Sequence, residues 1–310
     1  MSINNITKWL KTGVNLIQED LGYSPVKLLS AIDSYPDFLP KLEERPKTIN
    51  EGDIVRWHEW GEMRYSFTKY AKHNVMLGWR YSQGTYSSFE QVMPEFDHFG
   101  QYEATPNWEC EIQDIAGLSS SKSNLNQFTN LDQFIQTRYP SLIEEITERN
   151  LLSTLAHNEI RIGHELHTDT TADCFSRYSW DNRIFLRNHG GSHHFAAARY
   201  IAGKLGRKVR LNGKLKSYSI NPRSVEALRE RFEIVVIDDR AKEQNEFLHA
   251  MKAFSATYLW RQLPQPYDNC RAIFLPKDET RSRTVAGYLR AAGAFDLGAF
   301  LQTLIVPREH

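Results

Sequence analysis

A change from strand to helix through two adjacent glycines most constrains the fold of this 310-residue chain. Residues 183–187 are typical of a short strand, and Gly190 and Gly191 follow closely. A helix is predicted over 192–205, and Gly206 supplies its stop signal. A strand, a tight turn and a helix start are therefore expected in direct succession.

Strands and helices alternate through the rest of the second half. The spacing of apolar residues predicts a helix over 131–156 and another over 241–262, with strands at 233–237 and 271–275. Ser224 is expected to cap a short helix that precedes the strand at 233–237. This alternation predicts a mixed α/β or α+β fold for the C-terminal half.

The first half is rich in aromatic residues. Four of the seven tryptophans, Trp57, Trp60, Trp79 and Trp108, fall between residues 57 and 108, and the pattern favours strand and loop. We expect most of them to be core residues, with one or two at the mouth of a site. A polar run over 118–124 predicts a boundary between an aromatic-rich region, 1–125, and an α/β domain, 126–310.

The glycine turn has the chemistry of an anion site. Two glycines permit close backbone approach, and free N–H groups at a helix start favour phosphate. His189, Gly190, Gly191 and Ser192 are therefore the predicted phosphate-binding residues. His193 and His194 would project from the first turn, where imidazoles donate hydrogen bonds or transfer protons. A structural connector between two core elements is the alternative for the same residues.

The run from Gly190 to His194 resembles the glycine-rich motif of the ParB/sulfiredoxin superfamily. Ser192 stands where sulfiredoxin has its reactive cysteine, so the resemblance does not imply peroxiredoxin repair. His194 stands where an arginine is usual, which replaces a permanent charge with a titratable one. The resemblance implies a ParB/sulfiredoxin-like core and a nucleotide or nucleic-acid phosphate at the turn.

A basic stretch follows the turn, although the whole chain balances 38 Lys and Arg against 38 Asp and Glu. Residues 199–216 hold seven basic residues and no acidic one. Such a stretch is expected to contact a nucleic-acid backbone, although a solvated surface is the alternative. The predicted contact residues are Arg199, Lys204, Arg207, Lys208 and Arg210.

Hydrolysis needs a group that activates water, and carboxylates near the turn are the candidates. Asp181 and Glu165 are the predicted partners of Ser192, His193 and His194 in catalysis, within a wider set that includes Asp173. His164 and His167, with Asp169, are a weaker candidate for a metal site, because their spacing is not that of a zinc helix. No metal ligand is therefore assigned.

These residues together predict an enzyme that cleaves a phosphodiester or N-glycosidic bond of DNA, as a nuclease or a base-excising glycosylase, with defence against foreign DNA as its setting. A nuclease would use a divalent metal, whereas a glycosylase would need no cofactor and would take a flipped base into an aromatic pocket. The alternatives are a switch protein that binds CTP or ATP and a small-molecule kinase. Three scattered cysteines and no long apolar run predict a cytoplasmic protein without a membrane partner.

Overall fold

The computed structural model describes residues 18–42, 47–64, 72–166 and 172–305. Its strands are β1 (Val75–Ser82), β2 (Thr85–Val92), β3 (Gly100–Glu111), β4 (Ile115–Leu118), β5 (Gly163–His164), β6 (Cys174–Tyr178), β7 (Ile184–Arg187), β8 (Arg210–Ile220), β9 (Phe232–Asp238), β10 (Tyr258–Gln262) and β11 (Cys270–Pro276). Its α-helices are α1 (Val26–Ser34), α2 (Leu131–Arg138), α3 (Glu148–Leu155), α4 (Ser192–Leu205), α5 (Pro222–Arg231), α6 (Ala241–Ala253), α7 (Thr280–Ala291) and α8 (Leu297–Ile305). The fold is mixed α+β with two sheets.

The chain divides into two compact units that do not follow the sequence order. The described residues of unit 1 come from Met1–Glu43, Arg56–Gly100 and Ile220–His310, and those of unit 2 from Glu44–Val55 and Gln101–Ser219. The predicted segments 1–125 and 126–310 do not coincide with these units. The polar run at 118–124 lies within unit 2, because it connects two parts of the same core.

Unit 1 contains an antiparallel sheet with the strand order β2-β1-β10-β11-β9. Helices α1, α6 and α7 contribute to a core that also includes Ile273 of β11. The adjacent residue, Phe274, points the other way in the strand and stacks on Trp60. Trp57 and Trp60 are buried there, as expected for core residues, whereas Trp79 packs half-buried against the core of unit 1 and Trp108 against that of unit 2.

Unit 2 contains a sheet with the strand order β3-β8-β6-β7-β4, and β5 pairs with β8. Strand β4 runs parallel to β7 and β6 runs parallel to β8, whereas β6 and β7 are antiparallel. Helices α2, α3 and α4 build its apolar core. The buried residues of α4 include four alanines, whose small side chains let the helix approach its neighbours closely.

The strand, turn and helix around Gly190 form as predicted, since β7 ends at Arg187 and α4 spans Ser192–Leu205 before Gly206. The predicted helix over 131–156 is instead two helices, because Pro140 starts a separate 3-10 turn, Pro140–Ile143. The helix predicted over 241–262 ends at Ala253, and residues 258–262 pair as β10. Asn221, and not Ser224, caps α5.

Candidate functional site

The turn between β7 and α4 depends on Gly191. Its φ of +67° lies in the left-handed region, and a Cβ there would meet the carbonyl oxygen of Glu159 at 2.5 Å. The N–H of Gly191 donates a hydrogen bond of 3.1 Å to Oε2 of Glu159. The start of α4 therefore binds an anionic oxygen, as its free N–H groups and dipole favour, and that oxygen belongs to an exposed side chain of the same chain.

A serine-rich loop forms one wall of this turn. Because β4 and β7 are parallel neighbours, the segments that follow their carboxyl ends, 119–123 and 188–191, meet at one edge of the sheet. The buried Asn188 joins them, since its Nδ2 donates to the carbonyl oxygens of Ser120 at 3.0 Å and Gly190 at 2.8 Å. Its Oδ1 accepts from the N–H of Ser120 at 3.2 Å. These bonds fix the loop against the turn.

Ser192 and His193 both contact that loop. Ser192 is buried and donates from Oγ to Oγ of Ser121 at 3.0 Å, and the N-cap of α4 is the preceding residue, Gly191. Nε2 of His193 lies 3.1 Å from Oγ of Ser123. Two hydroxyl groups of the loop therefore hold the first two residues of α4.

The imidazoles at the start of α4 are biased towards their neutral form. The His193 ring lies against the ring of Tyr139 at 3.9 Å between centroids, and the His194 ring stacks on that of His157 at 3.5 Å. Burial is the main cause that lowers the pKa of each, with further lowering by His194 for His193 and by His157 for His194. Neutral imidazoles of this kind donate or accept hydrogen bonds without adding charge.

His189 and Asp173 form a pair of the acid–base type. Nδ1 of His189 lies 2.8 Å from Oδ1 of Asp173, which also accepts from the His189 backbone N–H at 3.1 Å. The carboxylate side chain is 2% exposed, whereas the imidazole side chain is 60% exposed. A buried carboxylate thus fixes the orientation of an accessible imidazole, with Nδ1 assigned as the donor and Nε2 as the nitrogen that exchanges protons.

The predicted catalytic carboxylates lie elsewhere in unit 2. Asp181 binds the Arg183 guanidinium at 2.6 and 2.9 Å. Because Asp181 precedes β7 and the turn follows it, the length of that strand, about 13 Å, separates Asp181 from the turn. Glu165 binds Arg207 at 2.9 Å. Arg207 follows the far end of α4, a helix of 14 residues and so about 21 Å long. Neither carboxylate is brought to the turn.

Three arginines of the basic stretch have carboxylate partners. Arg199 pairs with Asp132 at 2.6 Å and donates to two backbone carbonyl groups. Arg207 pairs with Glu148 as well as Glu165, and Arg210 pairs with Glu109 at 3.4 Å. The ammonium group of Lys204 lies over the Tyr200 ring, and Lys208 is exposed. The seven basic residues therefore act as a smaller net charge than the sequence count indicates.

Sequence reasoning did not single out Glu159, Ser121, Ser123 or Asp173 as a group. One signal was present, because a run of serines directly follows β4, and a polar run after a buried parallel strand marks the edge where sites form. No local signal marks Glu159, which lies 32 residues before Gly191.

Within the described ranges, no group of three or more His, Cys, Asp or Glu side chains is arranged to hold a metal ion. His167 and Asp169, from the weaker metal candidate, lie outside the described residues. None of the helices in the described part of the chain is long and apolar enough to cross a membrane.

Comparison with known proteins adds one match. A family model described as a family of unknown function (DUF6685) matches residues 105–310. No curated protein and no solved structure matches the chain. The matched residues include the turn, the dyad of His189 and Asp173, and Glu159.

Proposed function

The chain belongs to the DUF6685 family, and because the function of that family is unknown, we propose one from the geometry of unit 2: a hydrolase that acts on DNA at a phosphodiester or N-glycosidic bond. The observation that carries this proposal is the pairing of His189 with the buried Asp173, which together form the dyad. His189 precedes Gly191, whose N–H binds an anionic oxygen, by two residues. A proton-transfer group and a phosphate position thus lie on one short turn.

In the proposed reaction, a substrate phosphate replaces the Glu159 carboxylate at the start of α4. The backbone N–H of Gly191 and the helix dipole then stabilise the phosphate, with His193 and His194 as uncharged hydrogen-bonding neighbours. Nε2 of His189 takes a proton from water, and the buried Asp173 stabilises the imidazolium that forms. The water oxygen bonds to phosphorus, or to C1′ of the sugar in the glycosylase version, as the bond to the leaving sugar oxygen or base breaks. The leaving group then takes up a proton from the imidazolium, which restores the neutral imidazole. If the bond cleaved is N-glycosidic, the base must first leave the stack.

The proposed function includes a proposed fold relationship for this region. We take the β7–turn–α4 region of unit 2 as the ParB/sulfiredoxin-like core, which the glycine at the N-cap of α4 supports. Defence against foreign DNA is the proposed setting.

A free nucleotide is the second candidate ligand. The ion pairs of Arg199, Arg207 and Arg210 with carboxylates favour it, because they leave fewer cations to follow a long backbone. In that case the protein is a CTP- or ATP-binding switch or a small-molecule kinase.

The test is incubation of the full chain with plain and base-modified DNA, each as duplex and as single strand, with and without Mg²⁺, followed by alkali. Strand loss without alkali indicates phosphodiester cleavage, and strand loss only after alkali indicates base removal. We expect His189→Ala and Asp173→Asn to lower the rate by about 100-fold or more. His249→Ala, which changes an exposed histidine of α6 in unit 1, should keep the wild-type rate.

The second candidate makes the opposite prediction for the same preparations. No strand loss under any of these conditions, together with saturable binding of CTP or ATP, would overturn the hydrolase in favour of the nucleotide switch. Equal loss of activity in His249→Ala and His189→Ala would show that the activity does not depend on the pair of His189 and Asp173.

A further inference from the structure

A ladder of three tyrosines crosses the sheet of unit 2. Tyr102 lies on β3, Tyr218 on β8 and Tyr178 on β6, which are consecutive strands of the sheet. The rings of Tyr178 and Tyr218 stack at 5.2 Å and 16°, and those of Tyr218 and Tyr102 lie 5.5 Å apart. Exposure increases along the ladder, from a buried Tyr178 through a half-buried Tyr218 to Tyr102, which is 54% exposed.

The buried end of the ladder is fixed by polar contacts. The hydroxyl groups of Tyr178 and Ser176 donate to Oε1 of the buried Glu51, at 2.7 and 2.6 Å. Burial and then Glu51 raise the pKa of Tyr178, and burial raises that of Tyr218, so both hydroxyl groups stay protonated at neutral pH. Because the innermost ring is fixed, the outer rings are held in place before a ligand arrives. Binding then does not have to immobilise them.

The same face of the sheet carries positive charge. Lys216 is level with Ser176, and Tyr218 is level with Tyr178, in the parallel pairing of β8 with β6. Alternation along β8 places Lys214 on this face too. Among the described residues, neither lysine pairs with a carboxylate, and the carboxylate of Glu51 is matched by Arg187 at 3.5 Å. The face therefore combines the exposed ring of Tyr102 and the half-buried ring of Tyr218 with two lysines.

Arg187 connects the ladder to the turn. Its Nη1 donates to the hydroxyl of Tyr218 at 3.4 Å, and it is the last residue of β7, directly before Asn188 and His189. Arg187 thus contacts the ladder through its side chain and precedes His189 by two residues in the chain.

From these observations we propose that the outer end of the tyrosine ladder, Tyr102 with the half-buried Tyr218 behind it, is a stacking subsite for the bases of single-stranded nucleic acid, with Lys214 and Lys216 near its phosphates. Aromatic rings on an open sheet face with nearby cations bind unpaired bases by stacking, whichever base is present. The inference rests on the proposed function, because it names the form of nucleic acid that reaches the turn: one whose bases are already unstacked.

The experiment compares two fluorescein-labelled oligonucleotides of equal length and charge at one fixed salt concentration. One carries thymine bases and the other carries abasic residues throughout. The full chain carries His189→Ala, so that neither probe is cleaved. We expect the thymine oligonucleotide to bind at least about tenfold more tightly, since each stacked base contributes substantially. Equal affinity for the two probes would overturn the stacking subsite.

Variants locate the effect on the ladder. Tyr102→Ala should weaken binding of the thymine probe about tenfold and leave the abasic probe unchanged, whereas Tyr102→Phe keeps the ring and should bind as the parent does. Tyr81→Ala is the matched control, because Tyr81 of unit 1 is also 54% exposed. If Tyr102→Ala and Tyr81→Ala weaken thymine binding equally, the ladder is not the subsite.

The binding experiment and the cleavage assay can fail independently of each other. Base-dependent binding through Tyr102 without any cleavage by the wild-type chain would support the ladder and overturn the hydrolase. Cleavage by the wild-type chain with base-independent binding would support the hydrolase and overturn the ladder.

Discussion

At Gly191 two separate requirements exclude a side chain: the positive φ of +67° and the Glu159 carbonyl oxygen, which a Cβ would meet at 2.5 Å. At Gly190 and Gly206, which also flank α4, at most one of these two features is present. The φ of Gly190 lies outside the left-handed region, and its nearest neighbours would lie 3.6 Å from a Cβ. Gly206 has a φ of +64° but open space around it. The three positions therefore separate backbone strain from steric overlap.

Alanine at these positions should lower the free energy of unfolding in a fixed order. We expect a loss of about 2–4 kcal/mol for Gly191→Ala, where strain and overlap combine, and about 1 kcal/mol for Gly206→Ala, where only the left-handed torsion is strained. Gly190→Ala should cost less than about 1 kcal/mol. Urea unfolding monitored by tryptophan fluorescence measures all three. Equal losses at Gly190 and Gly191 would contradict the geometry of the turn.

At the scale of the elements, the first turn of α4 gathers two histidines whose pKa values lie below the usual range, mainly through burial. In the unfolded chain both regain an ordinary pKa of about 6.5. Below that pH the unfolded chain binds protons that the folded chain does not, so acidification favours unfolding. Their contribution to stability is therefore complete above about pH 7 and decreases as the pH falls from there towards the lowered folded values.

Removal of both imidazoles should flatten this dependence. We expect the double variant His193→Gln, His194→Gln to lose less free energy of unfolding between pH 7.5 and 5.5 than the wild-type chain, because carboxamides do not titrate in this range. Urea unfolding at pH 7.5, 6.5 and 5.5 supplies the comparison. An identical pH slope in the two proteins would show that these histidines do not couple to folding.

The elements also show which parts of the fold follow from the sequence. The bounds of α4 could be predicted closely, because its start and stop depend on nearby glycines. The end of α6 could not, since residues 258–262 become a strand only by pairing with β1 and β11. The site follows the same division: the turn is local, but Asp173 and Glu159 reach it from 16 and 32 residues away.

At the scale of the whole molecule, a formal charge of zero coincides with a basic stretch whose arginines are largely paired. Lys204 and Lys208 are exposed on that stretch. Charge that is already matched by a neighbouring carboxylate displaces few counterions when DNA binds. The lysines and the arginines should therefore differ in their effect on salt dependence.

We expect Lys204→Ala with Lys208→Ala to reduce the slope of log affinity for duplex DNA against log salt by up to about 2, or roughly one for each phosphate that is no longer neutralised. Arg207→Ala with Arg210→Ala removes the same formal charge but should change the slope by much less. Fluorescence anisotropy over a range of salt concentrations measures both. A reduction as large for the arginine pair as for the lysine pair would restore the whole stretch as the DNA-binding surface.

The interleaved path of the chain between its two units has a consequence for the segment shared with the family, 105–310. A fragment with those limits would lack β1 and β2, and β10 would lose the neighbour that covers its hydrogen-bonding edge. It would also lack Glu51, the carboxylate shared by Ser176, Tyr178 and Arg187. An uncovered strand edge recruits other chains. Residues upstream of 105 thus complete both the sheet of unit 1 and the contacts of Glu51 in unit 2.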